Sequence, residues 1–473
     1  MANEWTRRQV ALGLAGAASL VASPVKSSDA RTAPLPNILF ILADDLGFAD
    51  LSCYGRTDYQ TPVLDMLARD GIKLSAGYAN SAVCSPTRVA LITGRYQYRL
   101  RVGLDEPLPP NLPAIGLPPA HPTLPSLLRR KGFRTSLIGK WHMGETPNFG
   151  PLESGYQSFF GIYEGGADYF THKLYALGKE FGGLYEGRTP IAREGYLTDL
   201  LTDRAVAEIS SFGKGRAPFL MSLHYTAPHW PWEGPEDRSV DHSNVMFARD
   251  SGSLKTYAQM VRSLDASVGR VLAALDSSGL ASNTLVVFTS DNGGERYSQQ
   301  WPFVGAKGEL LEGGIRVPLL LRWPGMIRPE SQSDQVMISM DFVPTLLAAA
   351  GSTPDPRYPS DGENLLPVLT GEAPKRIRTL FWRQKNARQA AVLDGDWKYL
   401  KLAGKEHLFN LAFDAHEQAN FKDREPKIFK RLKALWHDWN TQMLPYPPES
   451  YSAEVGAYVT ERYGRVDVSD GLD

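Results

Sequence analysis

Four stretches of the chain, each with an apolar centre, read as strands, and each is followed by polar side chains. They are PNILFILADD (36–45), FRTSLIG (133–139), APFLMSLHY (217–225) and NTLVVFTS (283–290). The first is a continuous apolar run, typical of a strand buried on both faces. Helix-period segments lie between them. TPVLDMLARDG (61–71) carries Thr61 at the N-cap position, Pro62 in the first turn and Gly71 past the end. HPTLPSLLRRKG (121–132) and LKTYAQMVRSLDASVGRVLAALDSSG (254–279) have helical periodicity too. Alternating helix and strand predicts an α/β fold, a large mixed and mostly parallel sheet sandwiched by helices. Ligands in such sheets bind beyond the carboxyl ends of the strands. There the four runs are followed by Asp44-Asp45, Lys140-Trp141-His142, His229 within TAPHWP, and Asp291-Asn292. Four strand ends that agree in this way predict a site.

After about residue 375 the pattern shortens. RTLFWRQ, QAAVLDGDWKYLKLAG and EHLFNLAFD read as short strands joined by turns, including Asp394-Gly395-Asp396, and predict a smaller antiparallel sheet. EPKIFKRLKALWHDWNTQM (425–443) reads as a helix with Leu432, Leu435, Trp436 and Trp439 on one side, and the segment from Pro445 as an extended tail. The expected organisation is a catalytic α/β domain at 36–374 and a small C-terminal α+β domain with its tail at 375–473.

Residues 1–30 predict an address. Arg7-Arg8 precedes a short apolar run of small residues, the form of a twin-arginine export signal, followed by a candidate cleavage site. The run is shorter than the about 20 residues needed to span a bilayer, so no stable membrane insertion is expected. The implied location is the periplasm or the exterior. Lys+Arg 51 against Asp+Glu 52 leaves no basic excess for a nucleic-acid partner, so any anion must be met by a local cluster.

The strand-end residues then divide by chemistry. Asp44, Asp45, Asp291 and Asn292 offer only oxygen, the preference of Ca²⁺ or Mg²⁺, and no Cys/His zinc spacing is present. Each pair alone reads equally as a polar turn; brought together, the carboxylates need a cation among them. Lys140, His142, His229 and Lys307 are individually weak signals, and His224 reads as a core histidine. Cys84 is different. SAVCSPTRVALITGR (81–95) sets it at a helix start, where amide groups and the dipole favour negative charge, with Pro86 in the first turn and Arg88 one turn on, able to reach back. A small buried hydrophobe needs none of this.

These residues carry a resemblance. CSPTR matches the Cys-x-Pro-x-Arg signature of type I sulfatases, within the alkaline-phosphatase superfamily, and ALITGRY continues it. ADDLGFADLSCYG, GKWHMG, APHWP and SDNGG follow in the family's order, and the similarity runs from about Asn37 to LFNLAFDAHEQAN. The resemblance implies oxidation of Cys84 to formylglycine (3-oxoalanine) by a transiently bound formylglycine-generating enzyme. It also implies one Ca²⁺, with Mg²⁺ as the alternative, held by Asp44, Asp45, Asp291, Asn292 and an oxygen of residue 84. Arg88 would steady the aldehyde hydrate, and Lys140, His142, His229 and Lys307 would surround the sulfate. The activity implied is hydrolysis of aryl or carbohydrate sulfates through a hydrate nucleophile and a sulfo-enzyme intermediate. Asp291 would accept the nucleophile's proton, His229 or Lys307 would protonate the alcohol, and His142 would release the sulfate. YEGGADYFTHK (163–173) resembles a loop at the substrate mouth, with Asp168, Tyr169 and His172 as readers of the alcohol, or else is an ordinary surface loop. Two rivals stand beside this reading: a phosphate or phosphonate ester hydrolase of the same superfamily, and a non-catalytic binder of sulfated glycans that keeps Cys84 as a thiol.

Overall fold

Every residue of Asn37–Ala43 is buried, and its side chains divide by parity between two cores. Leu39, Ile41 and Ala43 face one side of the sheet, Ile38, Phe40 and Leu42 the other. That two-residue period explains a run with no polar face. The computed structural model describes residues 34–176, 179–237 and 252–453, so the export signal expected at 1–30 lies outside the described residues. Among the described residues no helix is long and apolar enough to cross a membrane.

This strand sits near the middle of a sheet that counts 11 strands among the described residues. Thr284–Ser290, Asn37–Ala43, Phe219–His224, Arg134–Lys140 and Ser158–Ile162 lie side by side, all parallel. Arg316–Arg322 and Ile72–Tyr78 continue the sheet on one flank, the first antiparallel to both its neighbours; the Leu184–Glu186 and Thr189–Ile191 hairpin continues it on the other. The helices Pro62–Arg69, Leu197–Phe212 and Leu254–Ser277 cover the Leu39 face, and Leu124–Arg130 with Phe342–Ala349 covers the opposite one. This is the α/β architecture that the alternating pattern predicts. Register completes the placement of the site. Ala43 lies opposite Ser290, Leu42 opposite His224, and His224 opposite Gly139. The loops that follow these strands therefore leave one edge as neighbours.

One helix start differs from expectation. Leu124–Arg130 opens with a reciprocal cap between Thr123 and Ser126, but Thr61 makes no side-chain cap for Pro62–Arg69. Its hydroxyl accepts from the Ser52 amide at 3.0 Å. The Val63 and Leu64 amides instead donate to the Asp265 carboxylate at 3.2 and 2.8 Å. The cap comes from the long Leu254–Ser277 helix, a partner that local spacing does not reveal.

Thr379–Gln384, Gln389–Asp394, Trp397–Leu402 and Lys405–Asn410 form the smaller antiparallel sheet, and Pro426–Asn440 packs on it. Tyr78, Ile315 and Ile338 of the larger part share an apolar cluster with Trp382, Leu400 and Trp439. At this junction Lys398 Nζ lies 2.9 Å from Glu312 Oε1 and 2.8 Å from Glu417 Oε1, with all three side chains buried. Removing the ammonium strands buried carboxylates. Lys398→Ala is therefore expected to lower the unfolding free energy by about 3–5 kcal/mol. A urea-unfolding midpoint equal to wild type would contradict that expectation.

Candidate active site

The two acidic strand ends meet as the register requires. The Asp45 amide donates to Asp291 Oδ1 at 3.2 Å, and Asn292 Nδ2 donates to Asp45 Oδ1 at 2.7 Å. Asp45 has φ 62°, a left-handed conformation more accessible to Asp and Asn than to most residues. Three cations face the three carboxylates. Lys140 Nζ donates to Asp44 Oδ2 at 2.5 Å, Lys307 Nζ to Asp45 Oδ2 at 2.7 Å, and Arg88 Nη2 to Asp291 Oδ2 at 2.8 Å. Two buried oxygens, Asp44 Oδ1 and Asn292 Oδ1, have no hydrogen-bond partner. Burial, and then the neighbouring Asp291, hold the Asp44 carboxyl well above the ordinary carboxylate range. Orphaned oxygens among three clustered carboxylates suit a hard divalent cation. The donor set fits the ion that the sequence implies.

Cys84 begins the helix Cys84–Thr93, whose ten residues are all buried. Val83 precedes it in extended conformation with no side-chain cap, so the helix's first amides lie at residue 84. Burial pushes the thiol up, with Lys140 and Lys307 pulling against it. A protonated thiol is a weak nucleophile. Arg88 is anchored across the strand ends: its Nε and Nη2 both donate to Asp291 Oδ2, and Nη1 donates to the Lys140 carbonyl at 3.0 Å. Asp291 offers it a buried opposite charge.

Lys140 reaches the cluster because Gly139 lets two strands close on each other. A Cβ there would stand 1.8 Å from the His224 carbonyl oxygen, and its φ is 110°. His142 follows, with Nε2 2.9 Å from the Leu108 carbonyl and Nδ1 buried without a partner. Burial, and then Lys140, hold it well below the usual imidazole range, so it is neutral. His229 Nε2 lies 3.6 Å from Asp45 Oδ2, within ligand reach of both Asp44 and Asp45. Cys84, His142, His229 and Lys307 open onto a cleft of about 390 Å³. Arg88, Lys140, Asp44, Asp45, Asp291 and Asn292 are buried, and none of them is among the residues lining the cleft. His224 is buried in the strand itself, held down to about 3 by burial and then Arg88.

A match to the family described as Sulfatase covers residues 36–352, and one to N-sulphoglucosamine sulphohydrolase, C-terminal, covers residues 306–439. The chain belongs to the type I sulfatase family. It is 32% identical over 383 residues to N-acetylgalactosamine-6-sulfatase of Mus musculus, which spans 77% of this chain and 71% of that one. It is 29% identical over 474 residues to arylsulfatase J of Mus musculus, covering 88% and 77% of the two chains. The solved structure of Ps i-CgsB in complex with k-i-k-neocarrahexaose superposes with a TM-score of 0.80 at 29% identity, over 89% of this chain and 95% of that one. This sulfatase is a sulfuric ester hydrolase.

The cleft of the sulfatase also holds residues that its sequence did not single out. Glu295 lies directly after the SDNGG motif, 3.5 Å from Lys307, and extending the motif by one residue would have found it. Tyr451 comes from the segment expected to be a tail. In the YEGGADYFTHK loop the glycines line the cleft, while the three suggested readers turn inward. Asp168 Oδ1 accepts from the Phe170 and Thr171 amides, Tyr169 Oη donates toward the Thr226 and His229 carbonyls, and His172 Nε2 meets the Gly195 carbonyl. These side chains brace the loop.

Proposed function

We propose that this sulfatase hydrolyses carbohydrate sulfates with residue 84 as formylglycine and one Ca²⁺ beside it. A single observation carries the reading: a buried thiol at a helix start, opening onto the cleft beside three cations and three carboxylates. Burial, which pushes that thiol up, leaves it a weak nucleophile as it stands. Oxidised to an aldehyde, it would supply, as its hydrate, an oxygen nucleophile that can later expel sulfate. The ion would be held by Asp44, Asp45, Asp291, Asn292 and residue 84, and supplies positive charge against the outer oxygens of the sulfate. A histidine nitrogen suits that hard cation poorly, so His229 belongs to the leaving alcohol.

The chain's own side chains account for the rest. Lys140 and Lys307 carry positive charge where negative charge gathers on the reacting group. Burial opposes the charge on Lys307, but Asp45 and Glu295 outweigh it and leave the ammonium above its ordinary range, firmly protonated. That makes His229 the better donor to the departing alcohol. Arg88 fixes Asp291. Neutral His142, with Nδ1 unpartnered, is the group able to accept a proton when sulfate leaves. N-acetylgalactosamine-6-sulfatase and the neocarrahexaose complex support a carbohydrate alcohol over an aryl one. Export through residues 1–30 by the twin-arginine route, to the periplasm or beyond, completes the proposal.

Peptide mass spectrometry of residues 81–95, on protein from a host with the maturing enzyme, is expected to find an aldehyde at 84. The same preparation should release inorganic sulfate from sulfated sugars. An unmodified thiol in protein that still turns over sulfate would overturn the formylglycine reading.

A further inference from the structure

The cleft wall away from the reacting centre comes partly from the C-terminal strap. Pro445–Ala453 runs back over the main body and is tied down at several points. Glu106 N donates to the Tyr451 carbonyl at 2.9 Å, Ala453 N to the Glu106 carbonyl at 2.6 Å, and Tyr451 N to Asp105 Oδ1 at 2.9 Å. The buried Glu106 carboxyl accepts from Ser452 Oγ and the Lys385 amide, both at 2.9 Å, and from Tyr446 Oη. Lys385 Nζ donates to the carbonyls of Pro447, Pro448 and Ser450 at 3.0, 2.9 and 2.6 Å. An extended segment held this firmly presents the Tyr451 ring at a fixed place, 49% exposed and lining the cleft.

The chemistry of the wall is uneven. Pro107, Leu108, Pro109, Leu174, Trp230 and Tyr451 make most of it apolar. Among the described residues, Lys307 is the only lysine or arginine lining the cleft, and it is engaged with Asp45 at the reacting end. Glu295 adds a carboxylate beside it. Among the described residues, no second lysine or arginine lines the wall to meet a further anionic group. Prolines and aromatic faces instead complement the flat, C–H-rich face of a ring.

The geometry points to a neutral ring alcohol bearing a single sulfate as the substrate class, with Tyr451 on the strap as the residue that reads its ring. This rests on the sulfatase reading above and deepens it. Polysulfated and carboxylated sugars are the disfavoured class.

The test is calorimetric titration of the full-length Cys84→Ala protein, which lacks the nucleophile and so reports binding alone. The probes are neutral hexose monosulfates, their disulfated counterparts and the matching uronate esters. The best monosulfate is expected to bind at least about tenfold more tightly than its disulfated or carboxylated counterpart. Adding Tyr451→Ala should weaken it about tenfold, whereas Tyr451→Phe keeps the affinity. In matured enzyme with wild-type residue 84, Tyr451→Ala should raise KM by a similar factor with kcat within about twofold. Equal or tighter binding of the disulfated sugar would overturn the substrate class, and unchanged affinity in Tyr451→Ala would overturn the role of the strap. Sulfate release from a nitrophenyl sulfate by the matured enzyme reports on the sulfatase reading by itself.

Discussion

Cys84→Ala lowers kcat for sulfate release by about 10⁴-fold or more, with a thermal midpoint within about 5 °C of wild type. The asymmetry follows from the surroundings of residue 84. Its side chain is 1% exposed, so removing the sulfur leaves a small cavity and costs about 1–2 kcal/mol. The charged cluster around it is untouched, because Arg88, Lys140 and Lys307 hold carboxylates rather than the thiol. Loss of the reacting group is a loss of chemistry alone. Cys84→Ser sharpens the test, since it supplies one hydroxyl without the second hydroxyl of the aldehyde hydrate. It is expected to release alcohol once per molecule at most and then stop. Steady turnover by Cys84→Ser at a rate near wild type would remove residue 84 from the proposed role.

Stripping divalent ions with a chelator is expected to abolish sulfate release, and Ca²⁺ to restore it. At about 100-fold above its dissociation constant, a bound ion stabilises the fold by about 2.7 kcal/mol, a shift of several degrees in thermal unfolding. The cause is the state of Asp44, whose carboxyl is pushed up by burial first and by Asp291 next, against the opposing pull of Lys140 and Arg88. A divalent cation held there would offset the effect of that burial and would give the unpartnered Asp44 Oδ1 and Asn292 Oδ1 a counter-charge. Asp45→Asn and Asp291→Asn should each lose most activity and most of the Ca²⁺-dependent rise in the thermal midpoint. Asp291→Asn should lose more stability, because it also leaves Arg88 buried without its counter-charge. Full activity after chelation, with a midpoint indifferent to Ca²⁺, would exclude a resident ion.

The part of this site that lies on strand ends was legible because strands announce themselves. An apolar run that is buried on both faces has no reason to end in Asp44-Asp45 or Asp291-Asn292 unless those residues have business at the sheet's edge. Parallel pairing then brings them together. Arg88 shows where legibility stops. Its helix position was readable, but its partner Asp291 is 203 residues away and no local spacing links them. The Thr61 cap failed for the same reason, since Asp265 arrives from another helix and takes the amides first. Asp168, Tyr169 and His172 show the opposite case. The sequence left them open as readers of the alcohol or as parts of an ordinary loop, and the loop's own amides and carbonyls, together with those of nearby segments, occupy their polar atoms. Tyr451 had no signal at all, because a residue in an unpatterned segment gains its meaning only from where that segment is tied.

The ties between the strap and Glu106 also set an order of events for the growing chain. Synthesis runs from the amino end, so the helix bearing Cys84 leaves the ribosome long before Tyr451 exists. During that interval the early sheet lacks both the Thr284–Ser290 strand, which pairs with Asn37–Ala43, and the strap that carries Tyr451. Only when residues 445–453 emerge can the last side of the cleft form. Truncation at that end would thus leave a protein with its reacting group intact and its choice of substrate unmade.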